Sequence, residues 1–264
     1  MARSICIAFC LLLGACSADP QDPHYNGAAA LYSCSGALFR FDNQNLEDLA
    51  LVLTNGHCIG SNAEEDVVVA RPNRHPVRLF NGSKSLTPVL YASETVYATM
   101  LGTDIAVLRL DVSYQHLEDQ FGVDAFVLSD HPGDVGEDII VVSGLTETRA
   151  SCELDGFVHS LREDQWEFLD TLRLGEACQL THGTSGSPIV SVATGEIVGV
   201  SNTASSGGDA CALNNPCEVT ADGEITVIPN RSYGQQTYHF YSCVDADYQL
   251  DLDLDGCSLP KPLD

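Results

Sequence analysis

Short apolar runs recur along the chain, at residues 50–53, 67–69, 76–80, 105–110, 139–142 and 197–200, with Gly, Asn and Asp clustered between them. Runs of this length bounded by turn residues predict β-strands. Only 44–49 and 113–120 carry a weak helical period. Many short strands with tight connections predict an all-β fold, a sandwich or a barrel.

One apolar run is of a different kind. Residues 5–15 follow a start containing Arg3 and are almost wholly apolar. The run is too short for a bilayer, which takes about 20 residues. It reads as the apolar part of an export signal over residues 1–15. The run ends Leu13-Gly14-Ala15-Cys16, which resembles the lipobox of bacterial lipoproteins. That resemblance implies a diacylated Cys16, a lipid-anchored tether over 16–27 and, with Ser17 next, sorting to the outer membrane. The alternative is ordinary cleavage after Ala18, which leaves a periplasmic, cell-surface or secreted protein.

The chain holds 37 acidic and 12 basic residues, a formal net charge of −25. Such a surface repels nucleic acid and anionic lipid, which excludes both as partners and leaves the lipid anchor as the expected membrane contact. Of 11 cysteines, Cys6 and Cys10 leave with the signal and Cys16 takes the lipid. The remaining eight are an even set in an exported chain, which predicts four disulfides. The tightest pair, Cys211 and Cys217, has no partner pair nearby, so no metal site is expected. No cofactor is expected either.

Three stretches carry chemistry. Gly183-Thr184-Ser185-Gly186-Ser187-Pro188 holds a serine between glycines just before an apolar strand. Thr54-Asn55-Gly56-His57-Cys58 places a histidine just past a strand end, and Gly102-Thr103-Asp104 places an aspartate immediately before another strand. Asp104 lies 47 residues after His57 and 81 before Ser185. In order and local setting these stretches resemble the chymotrypsin-like serine proteases over roughly residues 28–204. The serine motif is similar to that of bacterial glutamyl endopeptidases.

The resemblance implies two packed six-stranded β-barrels, about 28–120 and 121–234, with a short acidic C-terminal extension over 235–264. It implies His57 as general base, Asp104 as its orienting carboxylate and Ser185 as nucleophile in an endopeptidase. The N–H groups of Gly183 and Ser185 would form the oxyanion hole. Protein or peptide substrates and a monomeric chain follow from the same reading. It also implies a Cys34–Cys58 bridge. Proximity in sequence suggests Cys211–Cys217 and Cys243–Cys257, which leaves Cys152–Cys178 as one of the 105 pairings that eight cysteines allow.

The substrate pocket implied by the family maps to Gln179, Leu180, His182, Ser201, Asn202 and Thr203. Gln179 stands where trypsins carry an aspartate, and Ser201 where glutamyl endopeptidases carry a histidine. With neither charged group present, an uncharged residue is expected before the scissile bond. Thr184 replaces the aspartate that pairs with the new N-terminus of trypsin-like zymogens, so no activating cleavage is expected. The run Asp251-Leu252-Asp253-Leu254-Asp255-Gly256 opens like a calcium loop, but Pro262 stands at position 12 where a glutamate is needed, and a solvated acidic loop is expected. The rival to an enzyme is a lipid-anchored binding protein that kept the fold without turnover. An esterase with a Gly-x-Ser-x-Gly elbow would place its histidine after the serine.

Overall fold

The computed structural model describes residues 25–60 and 66–262. The export signal, the proposed lipid site at Cys16 and most of the tether lie outside the described residues.

The described residues build sixteen strands in two closed sheets. The first contains β1 (Ala28–Ala30), β2 (Ser35–Arg40), β3 (Leu49–Thr54), β4 (Val68–Pro72), β5 (Pro76–Leu79), β6 (Leu90–Thr99), β7 (Ile105–Ser113) and β8 (Phe126–Val127). Their order is β1-β5-β6-β7-β3-β2-β8, with β4 beside β6 and a β1–β2 pairing that closes the barrel. The second sheet contains β9 (Asp138–Ser143), β10 (Thr148–Glu163), β11 (Trp166–Leu174), β12 (Pro188–Ser191), β13 (Ile197–Ala204), β14 (Cys217–Val219), β15 (Ile225–Thr226) and β16 (Ser232–Gln236). It runs β11-β16-β13-β12-β9-β10-β14-β15 and is closed by β10–β11.

Each barrel therefore has eight strands where six were expected. The difference lies in short pieces. β1 and β14 have three residues, and β8 and β15 have two. Six longer strands remain in each barrel. β8 carries the first barrel to Val127, and β16 carries the second to Gln236, past the expected boundaries at 120 and 234.

The expected apolar runs lie within or beside β3, β4, β5, β7, β9 and β13. Of the two weak helical stretches, 113–120 becomes the helix α1 (Tyr114–Phe121), capped by the Ser113 hydroxyl, which accepts from the N–H of His116, and ended by left-handed Gly122. The other, 44–49, is a turn: the Asn45 side chain accepts from the N–H of Glu47 and offers the backbone an alternative to helix.

Four disulfides join Cys34 to Cys58, Cys152 to Cys178, Cys211 to Cys217 and Cys243 to Cys257. One apolar cluster crosses between the barrels, with Phe39, Leu53 and Val107 of the first and Val190, Ile197 and Val200 of the second. Phe240, Cys243 and Leu259 of the C-terminal extension complete it. The extension thus belongs to the core. Tyr248 stacks on Phe41 with centroids 5.3 Å apart, and the hydroxyl of Tyr97 donates to the carbonyl of Pro260. Its acidic loop is tied internally: Asp251 accepts from the N–H of Asp253, and Lys261 pairs with Asp253 at 3.1 Å.

Candidate active site

His57 sits in a single 3-10 turn, Gly56–Cys58, just past the end of β3. The turn is pressed against the first barrel: a Cβ on Gly56 would lie 2.2 Å from the carbonyl oxygen of Thr99, so only glycine fits before the histidine. The Cys34–Cys58 bridge ties the far end of the turn to the start of β2.

Asp104 is completely buried at the mouth of β7. One carboxylate oxygen accepts from the N–H of His57 at 3.1 Å, and the other lies 2.6 Å from its Nδ1. The Asn55 side chain donates to the Asp104 carbonyl at 2.7 Å. With two points of attachment, the carboxylate fixes both the turn and the ring. An Nδ1–H facing the carboxylate leaves Nε2 as the ring nitrogen that can accept a proton.

Ser185 comes from the second barrel, three residues before Pro188 opens β12. Gly186, at φ +82°, is packed so closely that an added Cβ would lie 2.1 Å from the Ser35 carbonyl oxygen. The Ser185 hydroxyl donates to the Asn202 carbonyl at 3.2 Å. Among the described residues no acceptor meets the N–H of Gly183 or of Ser185. Thr184 is buried, and its N–H and hydroxyl both donate to the Thr181 carbonyl, at 3.1 and 2.6 Å.

Behind this loop runs a chain of hydroxyls. Thr146 Oγ1 donates to Ser143 Oγ at 2.7 Å, Ser143 meets Ser35 Oγ at 2.8 Å, and Ser35 donates to the Gly183 carbonyl at 2.8 Å. The N–H of Ser35 also donates to the Ser185 carbonyl at 2.8 Å. Ser35 is fully buried at the start of β2, so a residue of the first barrel holds the serine loop of the second.

His57, Asp104 and Ser185 line one cleft of about 550 Å³ between the barrels. Leu180, His182, Ser201, Asn202 and Thr203 line it too, as the family mapping implied. Gln179 does not, and this corrects that mapping. Cys178 is buried and bridged to Cys152, the N–H of Leu180 is held by Ser232 Oγ at 3.1 Å, and the side chain between them is left on the surface.

A charged group outside the family mapping lines the cleft as well. Glu163, at the end of β10, is buried and lines the cleft. Burial pushes its carboxyl above the usual range. The Thr203 hydroxyl and the Asn214 N–H (2.6 Å) oppose that shift, while the charges of Asp104 and His57 act on it in opposite directions. No sequence signal pointed to this residue: the buried positions of β10 run through Leu154, Gly156, Val158 and Ser160 and then change phase at Leu161, so a strict alternation would put Glu163 on the outer face. Among the described residues one group of potential metal ligands occurs, Cys34, His57 and Cys58, and both of its sulfurs are in a disulfide.

The trypsin-like peptidase domain model matches residues 34–200, well over half of the chain. The chain belongs to that family. Its fold is similar to that of the MamO protease domain from Magnetospirillum magneticum in its apo form, with a TM-score of 0.53 and 12% identity over 85% of this chain and 98% of that one. Kallikrein-related peptidase 10 gives a TM-score of 0.50 and 15% identity, covering 85% and 95% of the two chains. At these identities the likeness is one of fold alone. No curated protein matches the sequence. Trypsin-like membership carries a serine-protease hydrolase reading, with protein or peptide substrates.

Proposed function

We propose that this chain is an exported serine endopeptidase that works through a Ser185–His57–Asp104 triad and an acyl-enzyme. The observation that carries the reading is the pair of hydrogen bonds that the Asp104 carboxylate accepts from the backbone and ring of His57, in the same cleft as Ser185. A serine hydroxyl needs a base at the moment of attack. For proton transfer the Ser185 hydroxyl must leave the Asn202 carbonyl and face His57 Nε2. The imidazolium so formed faces the Asp104 carboxylate and returns its proton to the leaving amine. The free N–H groups of Gly183 and Ser185 receive the developing oxyanion, at about 3–4 kcal/mol for each donor.

Four disulfides are typical of proteins that mature outside the reducing cytosol, which supports export. The lipid anchor at Cys16, an outer-membrane location, a monomeric state and kinship with glutamyl endopeptidases rest on the sequence motifs. The competing reading is a binding protein without turnover. Labelling with a fluorophosphonate decides between them. Covalent modification of the intact chain, lost in Ser185→Ala, is the expected result; no labelling of a folded protein would point to the binding protein.

A further inference from the structure

We propose that Glu163 is the specificity-determining carboxylate of this cleft and that it pairs with a basic side chain, arginine or lysine, of the peptide substrate. The proposal rests on the peptidase reading above and adds the substrate class to it.

Among the described residues two carboxylates line the cleft, and their situations differ. Asp104 is committed to His57. Glu163 accepts from a neutral donor, the Asn214 N–H, feels the Thr203 hydroxyl nearby, and has no ion-pair partner among the described residues. The arginines of the second barrel that could serve are engaged elsewhere. Arg162, next in sequence, points outward to Glu167 at 3.4 Å, Arg173 pairs with Asp155 and Glu218 at 2.8 Å each, and Arg231 lies 3.1 Å from Asp155. A carboxylate kept in a buried position with hydrogen-bond donors but no counter-ion is costly unless a cation arrives to meet it.

The surroundings fit a long basic side chain. Met100, Trp166, Phe168, Leu180 and Leu213 supply apolar wall for a methylene stem, and Glu163 supplies the acceptor for its charged head. Position agrees as well. The Ser185 hydroxyl touches the Asn202 carbonyl, and the adjacent residue, Thr203, lines the same cleft as Glu163. The carboxylate and the nucleophile therefore share one cleft and approach neighbouring positions of β13. The chain's net charge of −25 favours the approach of cationic peptides over long range.

The test compares peptides that carry arginine or its neutral near-isostere citrulline, scanned through each position around the scissile bond. The variant is Glu163→Gln, whose amide oxygen still accepts from Asn214. Asp164→Asn, exposed at the hairpin tip, serves as the charge control. The wild type is expected to favour arginine over citrulline at one position by about tenfold to a hundredfold in kcat/KM, the range of a charge-assisted hydrogen bond. E163Q is expected to lose that ratio to within about twofold, and D164N to keep it. A wild type with no such position, or an E163Q that keeps the ratio, overturns the proposal. If Ser185 resists the fluorophosphonate and no peptide is cut, the peptidase reading has failed. Glu163 is then judged by calorimetric titration with benzamidine: binding at least tenfold weaker in E163Q supports the assignment, and equal affinity or no binding to either protein overturns it.

Discussion

Ser35 shows how much a single hydroxyl can govern. It donates to the Gly183 carbonyl and is itself supported by Ser143 and by the N–H of Leu145. Gly183 contributes one of the two N–H groups assigned to the oxyanion, and its carbonyl, held from behind by Ser35, belongs to the next peptide unit, so the bond fixes the ψ of Gly183 and with it the turn that aims the N–H. In Ser35→Ala the carbonyl loses its donor at a cost of about 1–3 kcal/mol. The smaller side chain fits where serine already does. The expected result is a kcat lower by about tenfold, with KM within about twofold and an unchanged circular dichroism spectrum. A KM effect of the same size as the kcat effect would point instead to a disturbed substrate pocket. The residues that resemble the family's triad were legible in the sequence because each is announced by its immediate neighbours. Ser35 and Glu163 were not. Ser35 meets Gly183 across 148 positions of chain, and Glu163 becomes a cleft residue only when β10 and β13 come together. No local pattern encodes either meeting.

At the level of elements, strands were legible wherever an apolar run was continuous, as in β3, β7, β9 and β13. The hairpin β10–β11 was hidden because its inward positions include small and polar residues, which blur a period of two. The C-terminal extension was hidden for another reason: short, acidic and rich in turns, it reads as surface although its aromatic residues pack inside. Tyr248 is the most informative of these. It stacks on Phe41, and its hydroxyl donates to the Asp42 carbonyl. In Tyr248→Ala the loss of the stacked pair and its burial should cost about 2 kcal/mol, a fall in Tm of roughly 4–8 °C for a domain of this size. Peptidase activity at 25 °C should be preserved, because neither Tyr248 nor its partners Phe41 and Asp42 line the cleft. A variant with wild-type Tm would mean that the extension is only loosely attached.

For the whole molecule, the two-barrel arrangement followed from the family resemblance, whereas the contacts that lock the barrels together did not. One consequence concerns activation. Thr184 is satisfied locally by Thr181, and Gly183 by Ser35. The serine loop needs no buried ammonium to hold it, and one inserted beside Thr184 would lack a counter-ion, at a cost of several kcal/mol. A protein purified from about Asp19 onward with an uncut N-terminal tag should turn over substrate at the full rate, with intact mass confirming the tag. Activity that appears only after the tag is removed would show that a free N-terminus is required.

The Ser35 bond has a further consequence. The groups that must meet for reaction are divided between two bodies, and the bond that aligns them crosses the seam, so catalysis gauges how well the barrels fit rather than whether either one is intact. A small slip between them spoils that alignment while every strand is still paired, and such sub-global openings require less free energy than complete unfolding. In a urea titration, turnover should therefore disappear at a lower concentration than the far-ultraviolet signal of the sheets, and activity should return at once on dilution, before any strand has had to re-form. Coincident curves would mean that the seam and the barrels give way as one.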